Sequence, residues 1–127
     1  MKILIKKIIE RAEDALSDAA FNFEHGRYEA AANRAYYSVF YCISALLEAK
    51  QVNTKTHQGA HNKFNEVYLK TELLPASLNT SLDIVFALRQ SGDYDFSFEP
   101  DHLEVEAALE HARTFLATTC AYFEAEP

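Results

Sequence analysis

Glycine and proline are scarce in this chain, with three of each among 127 residues, well under half of the roughly 12% that the two usually contribute together. That scarcity argues against a turn-rich sandwich or barrel and favours long, uninterrupted elements. Cysteine is scarcer still: Cys42 and Cys120 lie far apart, with neither a C-x-x-C spacing nor a Cys/His cluster that would suggest zinc. They read as buried thiols. No apolar run approaches the ~18 residues that a membrane span needs, and Lys6, Lys7, Glu10 and Arg11 interrupt any signal-peptide core at the start. The expectation is a single soluble domain over residues 1–127, in the cytoplasm, holding no cofactor or metal.

Positive charge is also in short supply, the formal net charge being −7. It is unevenly placed: residues 1–90 carry eleven Lys/Arg against ten Asp/Glu, whereas residues 91–127 carry only Arg113 against nine acidic residues. A whole-protein field that recruits nucleic acid is therefore not expected, while local phosphate contacts by a few placed arginines remain open. Such contacts belong in the nearly neutral first 90 residues.

What the chain has in abundance is helical periodicity. Ile5, Ile8, Ile9, Ala12, Ala15, Leu16, Ala19 and Phe23 recur at steps of three and four, one face of an amphipathic helix that His25-Gly26 should cap. Tyr28, Ala31, Ala32, Ala35, Tyr36, Val39, Phe40, Ile43, Leu46 and Leu47 repeat the pattern at once, so two helices joined this tightly should run antiparallel. After a polar loop over residues 51–56, Ala60, Phe64, Val67 and Tyr68 suggest a weaker third helix. Pro75 suits the opening turn of a fourth, with Leu78, Leu82, Val85, Phe86 and Leu88, which Ser91-Gly92 should stop. Residues 93–100 then alternate polar and aromatic, predicting an extended connection that packs its aromatics on the bundle. Asp101 and Glu104 form a capping-box variant opening a last helix through Val105, Leu109, Phe115 and Phe123. The predicted fold class is all-α: an antiparallel four-helix bundle with one additional short helix.

Beside the apolar stripe of the second helix runs another, polar and aromatic, at Arg34, Tyr37, Tyr41, Ser44 and Glu48. It fits a dimer interface, a cleft wall, or tyrosines that bury their rings and keep their hydroxyls wet. Lys55, Thr56 and His57 stand where a loop meets a helix N-terminus, a place where backbone N–H groups can hold an anion. The plainer alternative is that Thr56 caps the helix while His57 bonds a neighbouring backbone group. His61 shares the helix face with His57, but a lone i, i+4 pair is weak evidence for a metal. Arg34 and Arg89 fit either phosphate contacts or ion pairs, with Asp93 as an obvious partner. His25, His111 and the last helix's Glu104, Glu106 and Glu110 read as solvated surface.

Three segments, residues 32–41 around Arg34-Ala35-Tyr36-Tyr37, residues 54–59 with Lys55-Thr56-His57-Gln58-Gly59, and residues 89–95 from Arg89 to Asp93-Tyr94-Asp95, together resemble the HEPN family. They are most similar to its small stand-alone prokaryotic members, marked by R-x-Y-Y, K-T-H-x-G and R-x-x-x-D-Y. The resemblance implies a helical bundle, usually a homodimer, often encoded beside a minimal nucleotidyltransferase as a toxin and antitoxin pair. It also implies, for many members, metal-independent RNase activity through an R-x(4–6)-H motif, the histidine moving a proton at the ribose 2′-OH and the arginine stabilising phosphate charge. Arg89 matches the arginine. The histidine is missing, its three permitted positions being Tyr94, Asp95 and Phe96. The resemblance thus leaves open a dimeric module binding a nucleotide, RNA or a partner protein, with Arg34, Tyr37, Lys55 and His57 as binding residues. It leaves open equally an RNase using Arg89 with Tyr94 or Asp93, or with His57, and a purely structural dimerisation module.

Overall fold

The computed structural model describes residues 2–125, apart from the side chains of residues 93 and 94. Its elements are α1 (Ile3–Glu24), α2 (Tyr28–Ala49), α3 (His57–Phe64) running into a π-helical turn (Asn65–Leu69), α4 (Ser77–Tyr94) and α5 (His102–Ala125), and no strand occurs among the described residues. The all-α bundle of four long helices and one short one is therefore as expected. None of these helices is long and apolar enough to cross a membrane.

The centre of the bundle is α2, which packs against α1, α3, α4 and α5. Its apolar face is lined with small side chains: Ala31, Ala32 and Ala35 are buried, as are Ala12, Ala15 and Ala19 on α1. Alanine on both helices lets the backbones come close, and the Ser38 hydroxyl uses the short gap to donate to the Ala12 carbonyl at 2.7 Å. Bulk comes from Tyr36, Val39, Ile43 and Leu46 further along α2 and from the other helices. Phe64, Tyr68 and Phe115 are fully buried between α3, the π-turn and α5, and the Phe64 and Phe115 rings lie 5.4 Å apart. The Tyr68 hydroxyl donates to the Leu46 carbonyl, tying the π-turn to the C-terminal end of α2.

The helix ends follow their sequence signals in most places. Gly26 has φ of 72° after the His25 C-cap, and Asp101 and Glu104 exchange reciprocal bonds, Glu104 N–H donating to the Asp101 carboxylate at 2.7 Å. One expected stop does not occur: α4 continues through Ser91-Gly92 to Tyr94. Gly92 is buried, and a Cβ there would meet the Glu29 side chain at 3.4 Å. Gly92 thus lies inside α4, packed beside Glu29 of α2, and does not reverse the chain. The connection that follows packs only one of its aromatics, since Phe98 lies against the core while Phe96 is fully exposed. Cys42 is buried and Cys120 only half so, both as free thiols.

Candidate functional site

Each of the three sequence motifs contributes a side chain to one cluster, and the cluster is organised by Tyr36. In the periodic pattern Tyr36 is an ordinary core position, and its ring is indeed inaccessible to solvent. Its hydroxyl, however, lies 2.9 Å from His57 Nδ1 and 2.9 Å from His61 Nε2. A buried hydroxyl that met no polar group would be costly; here both imidazoles of α3 meet it.

The geometry of α3 explains the K-T-H-x-G pattern. Thr56 caps the helix, its Oγ1 accepting the Gly59 N–H at 2.9 Å. A Cβ on residue 59 would sit 2.9 Å from that same oxygen, so only glycine leaves the cap undisturbed. With the helix start fixed, His57 lies in the first turn and stacks on Phe40, ring centroids 4.1 Å apart. Its hydrogen-bond partner is the Tyr36 hydroxyl of α2 rather than a neighbouring backbone group. His61, one turn on, packs edge-on against Phe86 of α4 at 5.0 Å and is buried. Lys55 stands exposed in the loop before the cap.

The third motif supplies Arg89 from α4. Its guanidinium carbon lies 5.1 Å from the Tyr36 ring centroid and 5.3 Å from that of Tyr37. Arg34, from α2 itself, places its own guanidinium carbon 5.0 Å from the Tyr37 ring. Two cations therefore share one tyrosine ring, each gaining on the order of 0.5–1 kcal/mol from the ring quadrupole at a partly exposed site. The Nε of Arg34 is buried and meets no hydrogen-bond acceptor among the described residues. Both arginines line a cleft of about 610 Å³, together with Arg27, Glu29, Asn33 and Gly92. Of the stripe predicted on α2, Arg34, Tyr37, Tyr41 and Ser44 are half-buried and Glu48 is exposed.

Burial and the neighbouring Arg89 guanidinium both hold His57 below the ordinary imidazole pKa. His61 is likewise lowered, first by burial and then by His57, against an opposing pull from Asp83. Burial pushes the Tyr36 phenol far up, Arg89 offsetting part of the rise. At neutral pH the cluster is thus two neutral imidazoles and a neutral phenol beside a guanidinium.

The structure therefore brings Arg34, Tyr37, His57 and Arg89 together and leaves Lys55 outside the hydrogen-bonded cluster. Asp93 and Tyr94 end α4, but their side chains lie outside the described residues. Asp95, whose carboxyl is held low by hydrogen bonds from Ser97, is exposed past the helix end. Tyr36 and His61 were not legible as site residues; the His57–His61 spacing signalled a shared face, but not what that face meets. His111 is not simple surface either, since its Nδ1 lies 2.9 Å from the Ser81 hydroxyl. Among the described residues no group of three or more His, Cys, Asp or Glu is arranged to hold a metal ion.

Comparison with known proteins agrees with the three motifs. The HEPN domain model matches residues 5–121. A protein of Methanocaldococcus jannaschii named "putative toxin" is 35% identical over 118 residues, covering 93% of this chain and 80% of that protein. A UPF0332 protein of Thermotoga maritima is 35% identical over 115 residues, covering 87% of each, and a second M. jannaschii "putative toxin" is 31% identical over 112 residues. With its motifs, its helical bundle and a family match running almost from end to end, the chain belongs to the HEPN domain family.

Proposed function

We propose that this chain is the HEPN component of a prokaryotic toxin–antitoxin system, a cytoplasmic homodimer that binds the phosphate of RNA or a nucleotide through Arg34, Tyr37, His57 and Arg89. The observation that carries the reading is the pair of guanidinium groups on the Tyr37 ring at the wall of one cleft. Arginine presents N–H groups in a fork that matches phosphate oxygens, and the ring that both stack on holds the forks in place at little entropic cost. The half-buried rings of Tyr37, His57 and Phe40 add aromatic groups of the kind on which unpaired bases stack. The names of the M. jannaschii relatives support the toxin setting. The antitoxin partner implied by the family resemblance is a minimal nucleotidyltransferase.

Fluorescence anisotropy with a labelled single-stranded RNA tests the binding role. Arg34→Ala and Arg89→Ala should each weaken binding, and each should lower the slope of log K against log salt by about 0.7, the share of one phosphate contact on a single strand. Unchanged affinity and slope in both variants would remove the site.

A second reading, metal-independent RNA cleavage, is favoured by one specific observation: a neutral imidazole, His57, beside Arg89. Here the His57 ring takes the proton of the ribose 2′-OH, the 2′-oxygen bonds to phosphorus, and the P–O5′ bond breaks. The leaving 5′-oxygen takes a proton from water, giving a 2′,3′-cyclic phosphate and a 5′-hydroxyl, and His57 returns its proton to solvent. Arg89 would stabilise the charge on the phosphate. Incubation of total RNA with wild type and with Arg89→Ala separates the two readings, since binding alone leaves the RNA intact in both.

A further inference from the structure

One hydroxyl between two imidazoles cannot treat them alike. The Tyr36 oxygen carries a single proton, so it donates to one ring nitrogen and accepts from the other, and His57 Nδ1 and His61 Nε2 must differ in protonation while both rings are neutral. Two chains satisfy this. In the first, His57 Nδ1–H donates to Tyr36, whose O–H donates to His61 Nε2, which leaves His61 protonated on Nδ1 and His57 Nε2 with a bare lone pair. In the second every direction is reversed, and His57 points an Nε2–H outward.

The charges around the cluster choose between them. Arg89 acts on the His57 end, its guanidinium held against the Tyr36 and Tyr37 rings. Asp83 acts on the His61 end, and the two residues line a separate cleft of about 500 Å³. The first chain runs its N–H and O–H donors from the ring on which Arg89 acts toward the ring on which Asp83 acts; the second runs them the other way. The geometry points to Tyr36 and His61 as positioning residues that, polarised between Arg89 and Asp83, hold His57 as its Nδ1–H tautomer and present Nε2 as a proton acceptor beside Arg89.

Each partner has a defined part. Tyr36, on α2, passes the direction of the chain between two histidines one turn apart on α3. His61 sets that direction because it is the ring on which Asp83 acts. The arrangement opposes the intrinsic preference of a histidine side chain in water, which favours the Nε2–H tautomer, so its presence would be a property of this fold and not of imidazole. The catalytic use of the acceptor rests on the cleavage reading, in which the substrate is a ribose 2′-OH next to a phosphate. The tautomer itself does not depend on that reading.

Nitrogen-15 spectra of the imidazoles in the full-length chain at neutral pH test the assignment without any substrate. The expected result is a protonated Nδ1 and an unprotonated Nε2 on both His57 and His61. A protonated Nε2 on His57 in the wild-type protein would overturn the proposal. Tyr36→Phe should release His57 to the Nε2–H form. Because that variant also loses a buried hydroxyl, Asp83→Asn at the exposed end is the second test, and it should raise the fraction of the reversed chain. Insensitivity of the His57 tautomer to both substitutions would also overturn the proposal. RNA cleavage scores the underlying reading separately: its absence in a wild type with bare Nε2 removes the cleavage reading alone. Where cleavage occurs, Asp83→Asn should lower its rate at neutral pH, because the reversed chain puts the proton on His57 Nε2. An unchanged rate would deny His61 its positioning role.

Discussion

Replacement of Tyr36 by phenylalanine isolates the hydroxyl that joins the three motifs. The ring stays, with its packing against Phe40, Phe86 and the Arg89 guanidinium; only the oxygen between the histidines is lost. Two hydrogen bonds disappear, and His61, buried at 7% exposure, keeps a polar nitrogen with no partner on that side. His57 is only half-buried and regains water, so its share is smaller. A net bond contributes about 0.5–1.5 kcal/mol and an unsatisfied buried polar group costs about 1–3 kcal/mol, which places the destabilisation at roughly 2–3 kcal/mol. For a chain of this length, each kcal/mol corresponds to about 4 °C in Tm, so the expected fall is on the order of 8–12 °C. Tyr37→Phe is the control, because the Tyr37 hydroxyl makes no hydrogen bond among the described residues while its ring carries the same kind of cation contact. It should stay within about 0.5 kcal/mol of wild type. Thermal and urea unfolding followed by far-ultraviolet circular dichroism give both numbers. Equal stabilities for the two variants would refute the reasoning, since the Tyr36 hydroxyl would then hold nothing together.

Other consequences follow from the same geometry. His57 and His61 have folded-state pKa values below the unfolded value of about 6.5, so the unfolded chain binds more protons than the native one below that pH. Their contribution to stability is complete above pH ~6.5 and is lost as the pH falls through and below it; unfolding midpoints between neutral and acid pH should drop less steeply in His61→Gln than in wild type. Thr56→Ala removes the α3 cap and should cost about 1 kcal/mol, with Thr56→Ser close to wild type in the same urea titration. Cys42 is inaccessible and its thiol is pushed far up by burial, whereas Cys120 is partly exposed. Iodoacetamide followed by mass spectrometry should therefore label Cys120 first. Simultaneous labelling of both would mean that the α2 core opens easily.

Much of this molecule is visible in its sequence because the helices are amphipathic and their ends carry chemically specific punctuation. The Asp101–Glu104 box and the His25-Gly26 terminus work through neighbours a few residues away, so a linear reading finds them. Gly92 is different. As a residue type it signals a stop, but it lies within a helix that runs on to Tyr94, buried beside Glu29 of α2, a setting that only the packing of α4 on α2 creates. Tyr36 misleads for a similar reason: the period of 3.6 places it correctly in the core and says nothing about an oxygen buried there. The partners of that oxygen come from α3, and the spacing of His57 and His61 shows only that they face one way. Arg34, Tyr37, His57 and Arg89 were each identifiable by chemistry and motif, while their convergence required the fold. Phe96, expected to pack its ring on the bundle, is exposed, and α4 runs on to Tyr94 before the connection begins.

The account rests on the claim that the R-x-Y-Y, K-T-H-x-G and R-x-x-x-D-Y motifs form one phosphate-binding site. Chemical-shift mapping of the isotope-labelled chain during titration with a short single-stranded RNA tests it most directly. The predicted result is a set of saturable shifts centred on Arg34, Tyr37, His57 and Arg89, reduced in Arg34→Ala and Arg89→Ala. Shifts confined to other faces of the bundle, such as the acidic surface of α5, or no shifts at all, would contradict it.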